Sequence, residues 1–180
     1  MNTVVFDVET KRSFQEAGTQ RPGDLGISFV GAYETKTNKY HGFFEEDFKK
    51  LWKLIESADR LVGFNSNHFD IPAIAAIAPY SLDNIPSLDI YADVYKVVKQ
   101  ERISLNRLAI PTLKIKKSGH GLDAVKYYRE GSLDKLKKYC LQDVKVTWEL
   151  FKFGTEKQFV LLLEKSGMIT QIPVTWTLDV

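Results

Sequence analysis

The sequence predicts an α/β fold whose mixed sheet joins an antiparallel meander to parallel strands. Residues 3–10 are apolar and β-branched apart from two carboxylates, which is typical of a buried central strand. Residues 25–34 and 39–44 form two further strand patterns around the turn 35–38, so the first three strands make a meander. Short apolar strands then alternate with helical patterns, which predicts parallel strands joined by right-handed crossovers beside the first strand.

The remaining elements follow from local patterns. Residues 11–23 are polar and contain Gly and Pro, which predicts a surface loop beside the first strand. Apolar residues spaced i, i+3, i+4 and i+7 from Phe48 predict a helix with one buried face. Residues 60–65 and 87–91 are predicted strands, and residues 70–78 are a short helix with Pro72 in its first turn.

The second half of the chain is predicted to be mainly helical. From Ala92 onwards, Pro111 is expected to break one helical segment, and residues 118–121 to open the next. The longest helix is expected over 132–153, with Ser132 as its N-cap and Gly154 as its stop. Residues 158–164 and 169–176 then predict a β-hairpin. We expect one domain over 1–180, with a core at 1–154 and the hairpin as an appendage at 155–180.

Composition favours a soluble protein of one domain. The chain has 180 residues, of which 44% are hydrophobic and 27% charged. It contains no apolar run near the ~18 residues of a membrane span and no signal-peptide pattern, so we expect a soluble cytoplasmic protein. We also expect it to be a monomer. The single cysteine, Cys140, fits a reducing compartment.

Charge is distributed unevenly along the chain. Residues 96–138 carry 12 Lys and Arg against 4 Asp and Glu, whereas the whole chain has a net charge of only +2. A basic region of this kind indicates either a surface that faces phosphates or an ordinary solvated helical face.

Two carboxylates in the first strand are the first candidates for a functional site. Asp7 and Glu9 are two residues apart, so their side chains leave the same face with Cα atoms about 6–7 Å apart. Like charges in a buried strand need a compensating cation, which keeps both groups ionised. The alternative is that Asp7 merely ends the strand and Glu9 faces water.

Two more carboxylates are placed where they could join the first pair. Asp70 follows a predicted strand, at the sheet edge where functional groups gather, although it could instead cap a helix. Asp143 occupies the apolar stripe of the longest helix, with Tyr139 one turn earlier. Burying Asp143 is costly unless it binds metal or pairs with a lysine such as Lys138 or Lys145.

Together, four carboxylates match the charge of two divalent cations. Hard oxygen ligands favour Mg²⁺ or Mn²⁺, and zinc is disfavoured because the sequence has no cluster of Cys and His. Two such ions about 3.5–4 Å apart are the clamp used for in-line phosphoryl displacement.

The order of these residues resembles the three motifs of the DEDD 3′–5′ exonucleases, which have a ribonuclease-H-like fold. The motifs here are Asp-Val-Glu at 7–9, Asn-Ser-Asn-His-Phe-Asp at 65–70 and Tyr-Cys-Leu-Gln-Asp at 139–143. Tyr139 indicates the tyrosine (DEDDy) form, because the histidine form would place His where Lys138 stands. The Lys-Ser-Gly-His-Gly stretch at 117–121 is most similar to predicted exonucleases related to the proofreading domain of family-B DNA polymerases and to the YprB group.

The resemblance implies a role for each matching residue. Metal ligands would be Asp7, Glu9, Asp70 and Asp143, and Tyr139 would orient the attacking water. Thr10, Asn65 and Phe69 match positions near the terminal nucleotide. His120 and Lys117 lie in a basic loop that could either meet phosphates or be plainly solvated.

The resulting expectation is a two-metal 3′–5′ exonuclease that releases 5′-monophosphates from single-stranded DNA or RNA with a free 3′ end. One alternative is a ribonuclease-H-like endonuclease. Another is a catalytically idle nucleic-acid-binding module of a repair or replication complex. The sequence carries no polymerase or helicase signature, so such an activity would come from a partner protein.

Overall fold

A computed structural model describes residues 1–99, 102–115 and 121–178. Its main sheet has five strands in the order β3-β2-β1-β4-β5. The strands are β1 (Thr3–Thr10), β2 (Ile27–Glu34), β3 (Lys39–Phe43), β4 (Arg60–Gly63) and β5 (Ser87–Asp89), and a separate hairpin comprises β6 (Phe159–Leu163) and β7 (Ile169–Pro173). The pairs β3-β2 and β2-β1 are antiparallel, and β1-β4 and β4-β5 are parallel. The predicted mixed sheet with a C-terminal hairpin is therefore confirmed.

Helices cover both faces of this sheet. They are α1 (Phe14–Ala17), α2 (Phe48–Glu56), α3 (Asp70–Ala75), α4 (Ile90–Val98), α5 (Leu105–Leu113), α6 (Gly121–Arg129) and α7 (Leu133–Lys157). None of the helices in the described part of the chain is long and apolar enough to cross a membrane.

Alternation along β1 divides the core into two layers. Val4, Phe6 and Val8 pack with residues of α2 and α3 on one face. Val5 packs on the other face, in a cluster that includes Val144 of α7 and residues of α5 and the hairpin. Because side chains alternate along a strand, Asp7 and Glu9 leave β1 on the same face as Val5, the face that α7 covers.

Three local predictions were wrong, each for a physical reason. Residues 11–23 contain α1, because Ser13 and Glu16 form a capping box at its start. Pro111 lies inside α5 rather than breaking it, because the buried side chains of Leu108 and Ala109 pack this helix against the core and hold it as far as Lys114. The third concerns Tyr91, which belongs to α4 rather than to the preceding strand, because Asp89 caps that helix.

Gly154 does not stop the longest helix, which continues to Lys157 and ends at Gln158. A Cβ added at Gly154 would lie 2.3 Å from Cε3 of Trp176, so the glycine allows the indole to pack directly on the helix backbone. The hairpin and the residues after it thus share the core of α7, through buried side chains of Val160, Leu162, Ile172, Val174 and Trp176.

Candidate active site

A cleft of about 260 Å³ opens at the carboxyl ends of β1 and β4. It brings together residues that lie far apart in the sequence: the end of β1, the loop after β4, the start of α3, and α7. Eight of the ten predicted site residues line it, namely Asp7, Glu9, Thr10, Asn65, Phe69, Asp70, Tyr139 and Asp143. The other two, Lys117 and His120, lie outside the described residues.

The pair from β1 forms a possible acidic metal site. Glu9 is buried, with 7% of its surface exposed, so the alternative in which it faces water is wrong. Three atoms that could bind a metal ion lie within 4.8 Å of one another, one each from Asp7, Glu9 and Cys140. Asp70 and Asp143 line the same cleft outside this tight group. Such an arrangement concentrates negative charge that a divalent cation would neutralise.

Cys140 contributes a hydrogen-bond donor rather than an anion. Its thiol lies 3.4 Å from a carboxylate oxygen of Asp7 and 3.4 Å from the Asp7 carbonyl oxygen. Burial, together with the negative charge of Asp7 and Glu9, raises the pKa of this thiol well above its usual range. A protonated thiol leaves carboxylate oxygens as the metal-binding set, and these fit the hard ions Mg²⁺ and Mn²⁺.

Asp70 is anchored to the backbone of the central strand. Its carboxylate accepts a hydrogen bond of 2.8 Å from the Val8 amide, and its side chain is buried. Phe69, not Asp70, occupies the N-cap of α3, so the helix-cap alternative is wrong. Burial, followed by the negative charge of Asp7, raises the pKa of Asp70 well above its usual range. Without a cation, this carboxyl therefore tends to hold a proton.

Helix α7 reaches the site because β2 carries a glycine beneath it. Gly31 pairs with Asp7 across the antiparallel ladder. A Cβ at this position would lie 2.9 Å from Sγ of Cys140 and 3.0 Å from Cγ2 of Val144. The absence of a side chain lets α7 approach the sheet closely, and the buried residues Tyr139 and Asp143 reach the cleft as a result.

The loop after β4 is held by a carboxylate that sequence reasoning missed. Asp89 is buried and accepts hydrogen bonds from the amides of Asn65 (2.8 Å) and Asn67 (3.0 Å). It also caps α4 by accepting from the Ala92 amide at 3.3 Å. Asn65 adopts a left-handed conformation (φ 61°), so the loop needs this bracing. The signal was available, since Asp directly before an apolar helical pattern is a common N-cap.

The three residues predicted to contact the terminal nucleotide line the cleft. The hydroxyl of Thr10 donates to the Arg12 carbonyl at 2.9 Å, which ties down the chain just past β1. Phe69 packs edge-to-face against Phe14 of α1, with ring centroids 5.9 Å apart. The roles of Thr10, Asn65 and Phe69 in binding stay predictions.

One wall of the cleft was not predicted as part of the site. Arg12, Ser13 and Phe14 line it from the segment interpreted as a loop, and Leu122 and Val125 line it from α6. The Ser-x-x-Glu pattern at 13–16 could have revealed α1, because it is the capping-box signature. No comparable sequence signal marks Leu122 or Val125.

Comparison with known families assigns the chain to a class. The family model RNase_H_2, which belongs to the RNase H superfamily, matches residues 4–153. The chain therefore belongs to the RNase H superfamily. Family membership together with the acidic cleft supports a nuclease that uses divalent metal ions.

Among solved structures, the chain is similar to the family B DNA polymerase from the hyperthermophilic archaeon Pyrobaculum calidifontis. The TM-score is 0.68 at 17% sequence identity, over 86% of this chain and 24% of the polymerase chain. The chain thus spans about a quarter of that polymerase, and the likeness concerns the fold. No curated protein sequence matches the chain.

Proposed function

We propose that this chain is a 3′–5′ exonuclease of the tyrosine form of the DEDD class. The observation that carries the proposal is the meeting of Asp7, Glu9, Asp70, Tyr139 and Asp143 in one cleft. These residues come from three separate segments, each of which contributes one motif of that class.

The four carboxylates would hold two Mg²⁺ or Mn²⁺ ions, which when bound lower the pKa of water and stabilise the leaving oxygen. The Tyr139 hydroxyl positions the attacking water, and Thr10, Asn65 and Phe69 hold the terminal nucleotide. Water adds to the phosphorus of the terminal phosphodiester, and the bond to the 3′ oxygen of the preceding nucleotide breaks. A 5′-monophosphate leaves, and the shortened strand keeps a 3′ hydroxyl.

The test is the product pattern from single-stranded oligonucleotides labelled at the 5′ end, in DNA and RNA versions, with Mg²⁺ or Mn²⁺. We expect a ladder that shortens from the 3′ end and that disappears in Asp7→Ala. Asp83→Ala is the matched control, because Asp83 is an exposed carboxylate outside the cleft. A partner such as a helicase or polymerase would be expected to supply the 3′ end, so the assay is also run on a frayed duplex.

A circular single strand separates exonuclease from endonuclease. We expect no cleavage of the circle under conditions that degrade the linear strand. Cleavage of both would favour an endonuclease, whereas binding without cleavage of any substrate would favour a catalytically idle module.

A further inference from the structure

A second depression adjoins the candidate active site and has no role in the proposed chemistry. It encloses about 620 Å³, compared with about 260 Å³ for the cleft. Its described lining combines aromatic, amide and basic side chains: Asn65, His68, Tyr91, Tyr95, Lys96 and Arg102. We call this depression the α4 groove, because three of these residues belong to α4.

The α4 groove is continuous with the cleft through the loop after β4. Asn65 lines both depressions. The turn then divides them, since three residues further on His68 lines the groove, and the next residue, Phe69, lines the cleft. Both of their amides donate to the Asn65 carbonyl, so one turn forms the ridge between the two spaces.

A series of aromatic rings leads from the cleft into the α4 groove. Phe64 lines the cleft and meets Tyr91 edge-to-face, with ring centroids 5.9 Å apart. Tyr91 in turn lies nearly parallel to Tyr95, with centroids 6.0 Å apart and an interplanar angle of 19°. Tyr95 is 39% exposed, so part of its side chain is accessible to a ligand.

Charge distinguishes this groove from a depression on another side of the cleft, between α1 and α6. None of the described residues that line the α4 groove is acidic; Lys96 is paired at its rim with Asp93, at 2.7 Å. The depression between α1 and α6 contains two carboxylates, and there Glu16 pairs with Arg129 at 2.6 Å. A phosphate backbone is therefore better matched by the α4 groove.

We propose that the α4 groove binds the nucleotides that precede the 3′ terminus of a single-stranded nucleic acid. Tyr95, supported by Tyr91, stacks on a base, and Lys96 and Arg102 contact backbone phosphates. Stacking on aromatic rings combined with a basic track is how proteins hold single strands without reading their sequence. The direction of the bound strand follows from the proposed exonuclease function, on which this inference rests. The substrate class that the inference names is an unpaired strand.

Binding is measured separately from hydrolysis, so that the two proposals can fail independently. Fluorescein-labelled oligothymidylates of two and about eight nucleotides are titrated in EDTA, and anisotropy gives Kd. For the longer probe, Tyr95→Ala is expected to raise Kd roughly 5- to 150-fold, the effect of losing one stacked base. The longer probe should lose its affinity advantage over the shorter one in this variant.

Two matched controls come from the chain itself. Tyr40→Ala removes a tyrosine of similar exposure (43%) from the edge strand β3 and should leave Kd unchanged. Lys96→Ala should lower the slope of log Kd against log salt concentration by about 0.7, because the variant loses one phosphate contact with the single strand. Lys50→Ala should not, although Lys50 forms an equivalent pair with Asp47 at 2.6 Å.

The outcomes separate the hypotheses. The proposal for the α4 groove is overturned if Kd is the same for Tyr95→Ala, Tyr40→Ala and the unmodified protein. It is also overturned if the unmodified protein does not bind the probe. Weaker binding in Lys126→Ala but not in Lys96→Ala would overturn it in favour of the depression between α1 and α6. If the protein binds through the α4 groove but cuts no substrate, the groove proposal stands and the exonuclease proposal is refuted.

Discussion

Replacing Gly31 with alanine tests how closely α7 must approach the sheet for the site to work. The added Cβ would lie 2.9 Å from Cys140 Sγ, 3.0 Å from Val144 Cγ2 and 3.3 Å from Leu141 Cδ2. All three atoms belong to α7, on the turns that carry Tyr139 and Asp143. Relief of the overlap therefore requires α7 to move outwards by about half an ångström, towards ordinary carbon contact distances.

The expected cost has a structural and a catalytic part. Overpacking by one methyl group costs about 1–3 kcal/mol of unfolding free energy. For a chain of this size, that corresponds to a Tm lower by about 2–12 °C. A displacement of 1 Å costs about 100-fold in rate, so half that displacement should lower kcat about 10-fold.

The assay pairs thermal unfolding with exonuclease turnover, and Gly154→Ala is the control. Gly154 is also covered tightly, by Trp176, but it lies eleven residues beyond Asp143, about 16 Å along the helix. We expect Gly154→Ala to lower Tm at least as much as Gly31→Ala while kcat stays within about twofold.

A second variant tests whether contact with Cys140 causes the loss of stability in Gly31→Ala. Cys140→Ala removes the nearest clashing atom, so the double variant Gly31→Ala/Cys140→Ala should recover part of the Tm lost in Gly31→Ala. If Gly31→Ala keeps both Tm and kcat, the close approach of α7 does not position the site. Equal losses of kcat in Gly31→Ala and Gly154→Ala would mean that stability alone explains the effect.

Three further predictions concern the cleft directly. Asp143→Ala should abolish hydrolysis while a thermal melt stays cooperative, and a collapsed melt in EDTA would instead indicate a structural carboxylate. Tyr139→Phe should lower kcat about 10- to 1000-fold, as the loss of a water-positioning group; unchanged turnover would remove Tyr139 from the mechanism. The pKa of Asp70 is raised in the folded state, so the metal-free protein should lose stability as pH rises from about 3.8 through that raised pKa. Asp70→Asn removes this ionisation, which costs about 1.4 kcal/mol of unfolding free energy per unit of pKa elevation, so it should raise Tm in EDTA at neutral pH. Mg²⁺ should raise Tm only in the unmodified protein.

The sequence predicted the mixed sheet and the meeting of four acidic residues at its edge, because both follow from periodicity and topology. Alternation in β1 fixed the shared face of Asp7 and Glu9, and the helical stripe of α7 fixed Asp143 next to Tyr139. Their convergence followed from the rule that functional groups gather at the carboxyl ends of parallel strands.

Other parts of the site depend on tertiary contacts that no local pattern encodes. Gly31 appears in the sequence as a weak point in a strand, and only the packing of Cys140 against it reveals its use. Leu122 and Val125 belong to the cleft because α6 folds back beside β1, which periodicity does not determine. Gly154 was interpreted as a helix stop because a glycine after an apolar stripe has that meaning in most helices.

The packing of Trp176 on Gly154 also bears on the order in which the protein is made. Asp7 is synthesised before α7, which begins more than a hundred residues later. When α7 has been made, it still lacks the cover of β6, β7 and the Trp176 indole, which are synthesised after it. Because burial of apolar surface holds helices of this kind in place, a nascent chain that stops short of Trp176 lacks part of the packing that fixes α7. The helix that carries Tyr139 and Asp143 is therefore fully packed only after Trp176 has been made.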